Sequence, residues 1–248
     1  MTVPTKQSLA SSTAGQSPKP IGNCLLNFLP PEEYARLLPN LEFVHLPKGE
    51  VLYRAGADID YCYFPLNGMI SLVPITEAGD TVEISMIGCE GMVGIAVILQ
   101  TTTAPYEVVV RSESDAVRIR AALLKAEFSN QDGQLQHLLL RYTHALFCEI
   151  SQSAVCNRFH TVKQRLCRWL LVIDDRVRSH TFPLTHEFIA NTLGIPRTNA
   201  TMTLGTLRKA GLIEHRRGQI TIIDRRGLKR AACECYRVVK KEIDSLCR

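Results

Sequence analysis

Between residues 183 and 224 the chain sets out Arg197, Thr198, Thr201 and Arg208, then Arg216 and Arg217, side chains suited to a polyanion, with Met202 beside them. An arginine carries a planar fork of N–H donors that stays charged, and this fork fits a flat pair of acceptors or a phosphate. Such groups act together only if one surface holds them, and their neighbours indicate how. Thr185 can cap a helix carrying Phe188, Ile189 and Leu193, its hydroxyl accepting from a free backbone N–H. Gly194 can take the left-handed conformation that ends that helix, and Pro196 suits the opening of the next. Ala200, Leu204 and Leu207 recur at i, i+4 and i+7 on the second helix, which leaves its polar face outside. After Gly211, LIEH and ITIID read as two strands whose Gly-containing turn carries Arg216 and Arg217 at its tip. A second helix of this kind fits the major groove of DNA while a basic wing lies along the phosphates. The alternatives are a helix-turn-helix used for protein contact or a plain helical hairpin, and the wing weighs against both.

Charge divides the chain in the same sense. The net charge is +5, but residues 1–150 hold 10 Lys/Arg against 16 Asp/Glu, net −6, and residues 151–248 hold 19 against 8, net +11. A basic half releases counterions from a polyanion and an acidic half opposes binding, so a nucleic-acid surface belongs at the C-terminal end. With 248 residues the chain has room for two modest domains and a connector. It shows no membrane span and no apolar signal-peptide core near its start, and its nine cysteines lack a paired C-x-x-C frame. The expectation is a cytoplasmic protein.

Residues 1–20, rich in Ser, Thr, Ala and Pro, are expected to form a disordered tail. Leu25 to Leu38 suggest a short helical entry, with Pro30-Pro31 opening a second helix. From Leu41 to Arg120 short alternating runs punctuated by Gly and Pro predict an antiparallel sandwich or barrel. Pro47-Lys48-Gly49-Glu50 and Leu66-Asn67-Gly68-Met69 are turn signals, and the Asn-Gly pair suits a tight hairpin. From Asp132 to Asn157 the period becomes helical. Leu135, Leu139, Tyr142, Leu146 and Ile150 trace one stripe, widened by Leu138, and a seam this broad needs a partner. That partner is either a second copy across a two-fold axis or the chain's own barrel. A further helix is expected from His160 to Val177.

The helix-turn-helix with its wing, and the spacing Leu46-x-x-Gly49-Glu50-x-Leu52-Tyr53-x-x-Gly56 followed by Tyr63-Phe64 and Gly68, resemble the CRP/FNR family of bacterial transcription regulators. The resemblance runs from about Leu29 to Cys235. It implies an α+β chain: an N-terminal antiparallel β jelly roll over residues 21–130, a long dimerisation helix over 131–158, and a C-terminal winged helix-turn-helix over 159–248. It further implies a regulator rather than an enzyme, acting as a homodimer on double-stranded DNA at a pseudo-palindromic operator, together with RNA polymerase. By likeness Arg197, Thr198 and Asn199 open the recognition helix and read bases, with Thr201 and Met202 beside them. Met202 stands where relatives carry a second arginine. Thr185, Arg208, Lys209, Arg216 and Arg217 fall to the phosphates, and Leu135, Leu138, Leu139, Tyr142, Leu146 and Ile150 to the dimer interface.

The same resemblance places an effector pocket around Gly91, Gly94, Ile95 and Tyr106. Cyclic-nucleotide binders of the family carry a Glu for the ribose and an Arg for the cyclic phosphate. Here the Glu position falls on Ile95 and the Arg region on Pro105-Tyr106-Glu107, so the usual pose is not expected. Arg111, Arg118 or Arg120 could substitute only from another strand. No cofactor is evident. A single cysteine, Cys24, precedes Cys62, which makes no iron–sulfur pattern. The His137, His144 and Cys148 stripe reads as interface packing, and Cys233-x-Cys235 lacks the usual zinc spacing, so no metal is expected. Two readings from other classes remain: a ligand-sensing module acting through protein contacts, which the wing opposes, and a cupin-type metalloenzyme. The latter needs several barrel histidines, whereas His45 is the only histidine before His137.

Overall fold

The structure is a computed structural model describing residues 22–129, 133–177 and 179–246. The expected tail at 1–20 and the expected boundary at 130/131 lie outside the described residues. Two short helices, α1 (Cys24–Asn27) and α2 (Pro31–Leu37, with Pro31 in its first turn), precede the strands. These are β1 (Glu42–Leu46), β2 (Val51–Tyr53), β3 (Tyr61–Pro65), β4 (Ile70–Val73), β5 (Ser85–Ile87), β6 (Glu107–Val110) and β7 (Ser114–Arg120). They form two antiparallel sheets, ordered β1-β7-β3 and β2-β6-β4-β5, as the alternating runs predict.

The Asn67-Gly68 turn does not close a hairpin. β3 pairs with β7 and β4 with β5 and β6, so the turn passes the chain from one sheet to the other. Gly68 sits at φ 76°, and a Cβ there would fall 1.9 Å from Ser114 Oγ, so close approach of another strand fixes the glycine. Pro47 to Glu50 makes the same kind of crossing, between β1 and β2.

Helix α3 (Ala121–Phe128) leads to the long α4 (Gln134–Phe159). The Glu33 carboxylate of α2 accepts from the free backbone N–H groups of Gln134 (2.8 Å) and Leu135 (2.9 Å), capping the positive end of the α4 dipole. The seam of α4 faces the barrel. Leu135, Leu138, Leu139, Tyr142 and Leu146 are buried in the same core as Phe64, Ile70, Val117 and Ile119, with Ile150 packed at its edge. The Tyr142 hydroxyl donates to the Met92 carbonyl (2.9 Å), and its ring lies where a Cβ on Gly91 would approach to 2.5 Å. Of the six residues expected at a dimer interface, five are thus buried against the barrel within the single chain, and Ile150 is half-buried at the edge. The opposite face of α4 is the open one, with Leu140, Phe147, Val155 and Phe159 at 48%, 70%, 43% and 75% exposure.

A second core begins with α5 (Val162–Val177), followed by β8 (Thr181–Pro183), α6 (His186–Leu193), α7 (Arg197–Lys209), β9 (Ile213–Arg216), β10 (Gln219–Ile222) and α8 (Arg225–Ala231). The strands order as β8-β10-β9; β8 is too short to show alternation, so no sequence pattern announces it. The last helix, α9 (Cys235–Leu246), folds back along α4, and Leu246 joins the first core.

The two cores are joined by buried polar groups as well as by Met69 and Met86, barrel residues that pack into the second core. Arg176 of α5 reaches Glu90 in the barrel (2.9 Å) and Glu149 of α4 (2.6 Å), and also donates to the Met86 carbonyl. All three charged side chains are buried. Burial disfavours the guanidinium charge, but Glu149 and Glu90 outweigh that effect and hold its pKa above the ordinary arginine value. Nearby, the Trp169 indole N–H donates to Glu83 of the barrel (2.8 Å).

Candidate nucleic-acid interface

Local signals build the helix-turn-helix as expected. Thr185 has extended backbone angles and its Oγ1 accepts from the Phe188 N–H (3.1 Å), capping α6. Gly194 ends α6 at φ 59°, ψ 48°, a left-handed conformation that a Cβ would strain. Ala200, Leu204 and Leu207 of α7 are buried, which fixes the rotation of the helix and turns Arg197, Thr198, Asn199, Thr201, Met202, Arg208 and Lys209 outward.

The exposed residues of α7 are not equivalent. The Arg197 side chain is 70% exposed, and its single ion pair, to Glu187 at 3.7 Å, is loose and solvent-screened. The fork is free to meet a ligand. The Thr201 hydroxyl donates to the Arg197 carbonyl (3.0 Å) and lies 2.8 Å from His186 Nδ1, so its one donor is used within the domain and its methyl and a remaining acceptor site face outward. Met202 is 70% exposed, an uncommon position for a large apolar side chain.

β9 and β10 form the wing. Arg216 pairs with Gln219 across a two-residue turn in which Arg217 (φ 49°) and Gly218 (φ 75°) are both left-handed, the geometry that matches strand twist. The Arg216 side chain is 81% exposed and 2.9 Å from Glu214. Arg208 and Lys209 occupy the last turn of α7, about 17 Å from Arg197 along the axis. Thr185 lies at the N-terminus of α6.

Sequence reasoning missed His186 and His215. Their rings lie 4.7 Å apart, with Nε2 of one 3.4 Å from Nδ1 of the other, which ties the wing to the start of α6 and, through His186 and Thr201, to α7. Burial, His186 and Arg208 together lower the His215 pKa, keeping that ring neutral at neutral pH. A single histidine within LIEH carries no signal of this role. Also missed are the two residues that join Cys233 and Cys235, described below.

In the barrel, Gly94, Ile95 and Tyr106 lie together: Gly94 abuts the Tyr53 hydroxyl, Tyr106 is close enough to act on Tyr53, and Ile95 is buried in the core. Gly91, expected in the same pocket, lies under the Tyr142 ring of α4. The arginines that might replace the missing phosphate ligand are engaged elsewhere. Arg118 pairs with Glu42 (3.0 Å) and lies over the Tyr61 ring, Arg120 lies over the same ring, and Arg111 lies over Phe188 of α6.

Comparison with known proteins agrees with this division. Residues 164–231 match the Crp-like helix-turn-helix domain, and residues 43–131 match the cyclic nucleotide-binding domain. No curated protein matches the chain. Among solved structures, FixK2 from Bradyrhizobium japonicum superposes with a TM-score of 0.67 at 15% identity, covering 78% of this chain and 98% of its own. TTHA1359, a transcriptional regulator of the CRP/FNR family from Thermus thermophilus, gives 0.64 at 21% identity, with 77% and 98% covered. The c-di-GMP responsive global regulator CLP from Xanthomonas campestris gives 0.65 at 15%, with 78% and 99% covered. At these identities the superpositions establish a shared fold, and the two domain matches carry the lineage. Among the described residues no helix is long and apolar enough to cross a membrane. With a cyclic nucleotide-binding-like barrel joined through a long helix to a Crp-like winged helix-turn-helix, the chain belongs to the CRP/FNR family of DNA-binding transcription regulators.

Proposed function

We propose that this regulator binds a pseudo-palindromic operator as a homodimer, one α7 helix per half-site. Arg197, Thr198 and Asn199 read base edges, with Met202 and the Thr201 methyl against the groove floor. Thr185, Arg208, Lys209, Arg216 and Arg217 hold phosphates. The observation that carries the reading is the free, outward Arg197 fork on the first turn of a helix whose opposite face is fully committed to the core. The dimer contact lies on the open face of α4, along Leu140, Phe147, Val155 and Phe159. RNA polymerase is the second macromolecular partner, and the cytoplasm the compartment.

Binding-site selection followed by salt titration tests the DNA assignment. Arg197→Ala is expected to cost about 1–3 kcal/mol at one guanine and relax preference there. Neutralising Arg216 and Arg217 should weaken all sites alike and reduce the salt slope by about 0.9 for each phosphate no longer neutralised. Unchanged base preference in the first variant, or altered preference in the second, refutes the assignment.

The barrel senses a signal other than cyclic AMP in the usual pose. Ile95 cannot accept from a ribose hydroxyl, Glu107 would repel a cyclic phosphate, and Arg111, Arg118 and Arg120 are held by other partners. Titration calorimetry with cyclic AMP and cyclic GMP should show no heat of binding. Micromolar affinity for either, abolished by a substitution beside Gly94, would overturn the reading.

A further inference from the structure

Away from both hydrophobic cores, Cys156, Cys233 and Cys235 form a small buried cluster of their own. Cys156 lies one turn before the end of α4, and His160, the extended C-cap residue of that helix, stands four residues later at the hinge into α5. Cys233 and Cys235 flank the start of α9. The ligating atoms of all four residues lie within 4.8 Å of one another, a grouping found nowhere else among the described residues. We infer that Cys156, His160, Cys233 and Cys235 form a closed tetrahedral site for a zinc ion, which fastens the start of α9 to the hinge between α4 and α5.

The distances choose the class of ion. Zinc bonds to sulfur at about 2.3 Å and to imidazole nitrogen at about 2.0 Å, so tetrahedral geometry sets two sulfurs roughly 3.8 Å apart and a sulfur and nitrogen roughly 3.6 Å apart. Here Cys156 Sγ and Cys233 Sγ are 3.6 Å apart, and Cys235 Sγ and His160 Nδ1 are 3.5 Å apart. A four-iron cluster places each ligand on a separate iron and needs a wider spread than 4.8 Å. Three thiolates and one imidazole are a ligand set of structural zinc, with all four positions filled by protein and no open position for water.

The surroundings fit an ion with three thiolates. His160 presents Nδ1 to the cysteines while Nε2 is 3.3 Å from the Glu234 carboxylate, the outer arrangement that fixes a ligating histidine's tautomer and orientation. The Gln152 side-chain amide donates to Cys235 Sγ (3.2 Å). Zinc with three thiolates leaves one net negative charge. Arg165 and Arg168 stand close enough to Cys156 to act on it, and both are buried with an Nε that finds no hydrogen-bond partner among the described residues. Binding balances as one divalent ion taken up and up to three thiol protons released to solvent. Cys233-x-Cys235 cannot hold zinc by itself, as its spacing indicates; the other two ligands come from the end of α4, more than seventy residues earlier.

The test uses the full chain purified under reducing conditions. Elemental analysis should find about one zinc per chain. Cys156→Ser and Cys233→Ser should lose it, whereas Cys148→Ser, outside the site, should keep it. Because the site variants could also lose their fold, cobalt(II) is added to the chelated native chain. Thiolate-to-cobalt charge-transfer bands with intense tetrahedral d–d absorption are expected, together with a melting temperature raised relative to the chelated protein. A native chain with neither zinc nor a cobalt spectrum overturns the proposal. So does iron with acid-labile sulfide, or zinc retained at full stoichiometry in folded Cys156→Ser.

Discussion

The two faces of α4 are both apolar, and they do different work. One carries Leu135, Leu139, Tyr142 and Leu146 into the barrel core, where each is almost fully buried. The other carries Leu140, Phe147, Val155 and Phe159, which stay exposed among the described residues. Periodicity reveals that a helix has a face to bury, but it cannot identify the partner. The stronger stripe went to the intramolecular partner, because a barrel held at the end of a short linker is present at far higher effective concentration than a second chain. The weaker, interrupted stripe stays exposed, and it is the surface to which the proposed dimer contact is assigned.

The contrast is sharpest in paired substitutions. Leu139→Ala removes a fully buried side chain and should lower unfolding free energy by about 2–5 kcal/mol in denaturant titration, with the dimer retained. Phe147→Glu should do the reverse. It leaves secondary structure intact but places a charge on each side of the two-fold, weakening self-association at least about tenfold, roughly 1.4 kcal/mol, in sedimentation velocity. If Leu139→Ala dissociates the dimer while Phe147→Glu does not, the two faces have been assigned the wrong way round.

The smallest effect concerns a carboxylate opposite the inward face. Glu83 shares a cleft with Glu149 and Ser153, and burial raises its pKa against the lowering effect of hydrogen bonds from Ser71 and Trp169. A carboxyl whose folded pKa is raised contributes stability that is complete below the unfolded value and is lost as pH rises through the folded one. Melting temperature should therefore carry a declining component from about pH 4.3 upward. Glu83→Gln, which keeps an acceptor for the indole N–H, should flatten it by an amount under about 1 kcal/mol. Trp169 is the chain's only tryptophan, so its fluorescence reports the same titration from inside the joint.

Much of the fold was legible because its signals are local. Thr185, Gly194 and Pro196 each act within a few residues, and the core spacing of Ala200, Leu204 and Leu207 fixes which side of α7 faces out. The barrel strands were equally plain, but their pairing was not: Asn67-Gly68 has hairpin chemistry and is used to change sheets, since the pairing of β3 with β7 is decided by a distant strand. The candidate DNA-reading residues follow from the local motif. The His186–His215 contact, the Arg176 junction and the cysteine cluster all join residues 27 or more apart in sequence, and no window along the chain shows them together.

The Arg176 junction has one more consequence. Its three charged members come from the Gly88–Gly91 turn of the barrel, from the middle of α4 and from the end of α5. Removing Arg176 leaves two buried carboxylates without a counter-charge, a cost of about 3–5 kcal/mol, whereas removing either glutamate leaves the other still paired with the guanidinium. Arg176 is thus the member on which the barrel, α4 and α5 all depend. A signal that moved the Gly88–Gly91 turn relative to α5 would have to supply differential binding free energy to offset the loss of the Arg176–Glu90 contact.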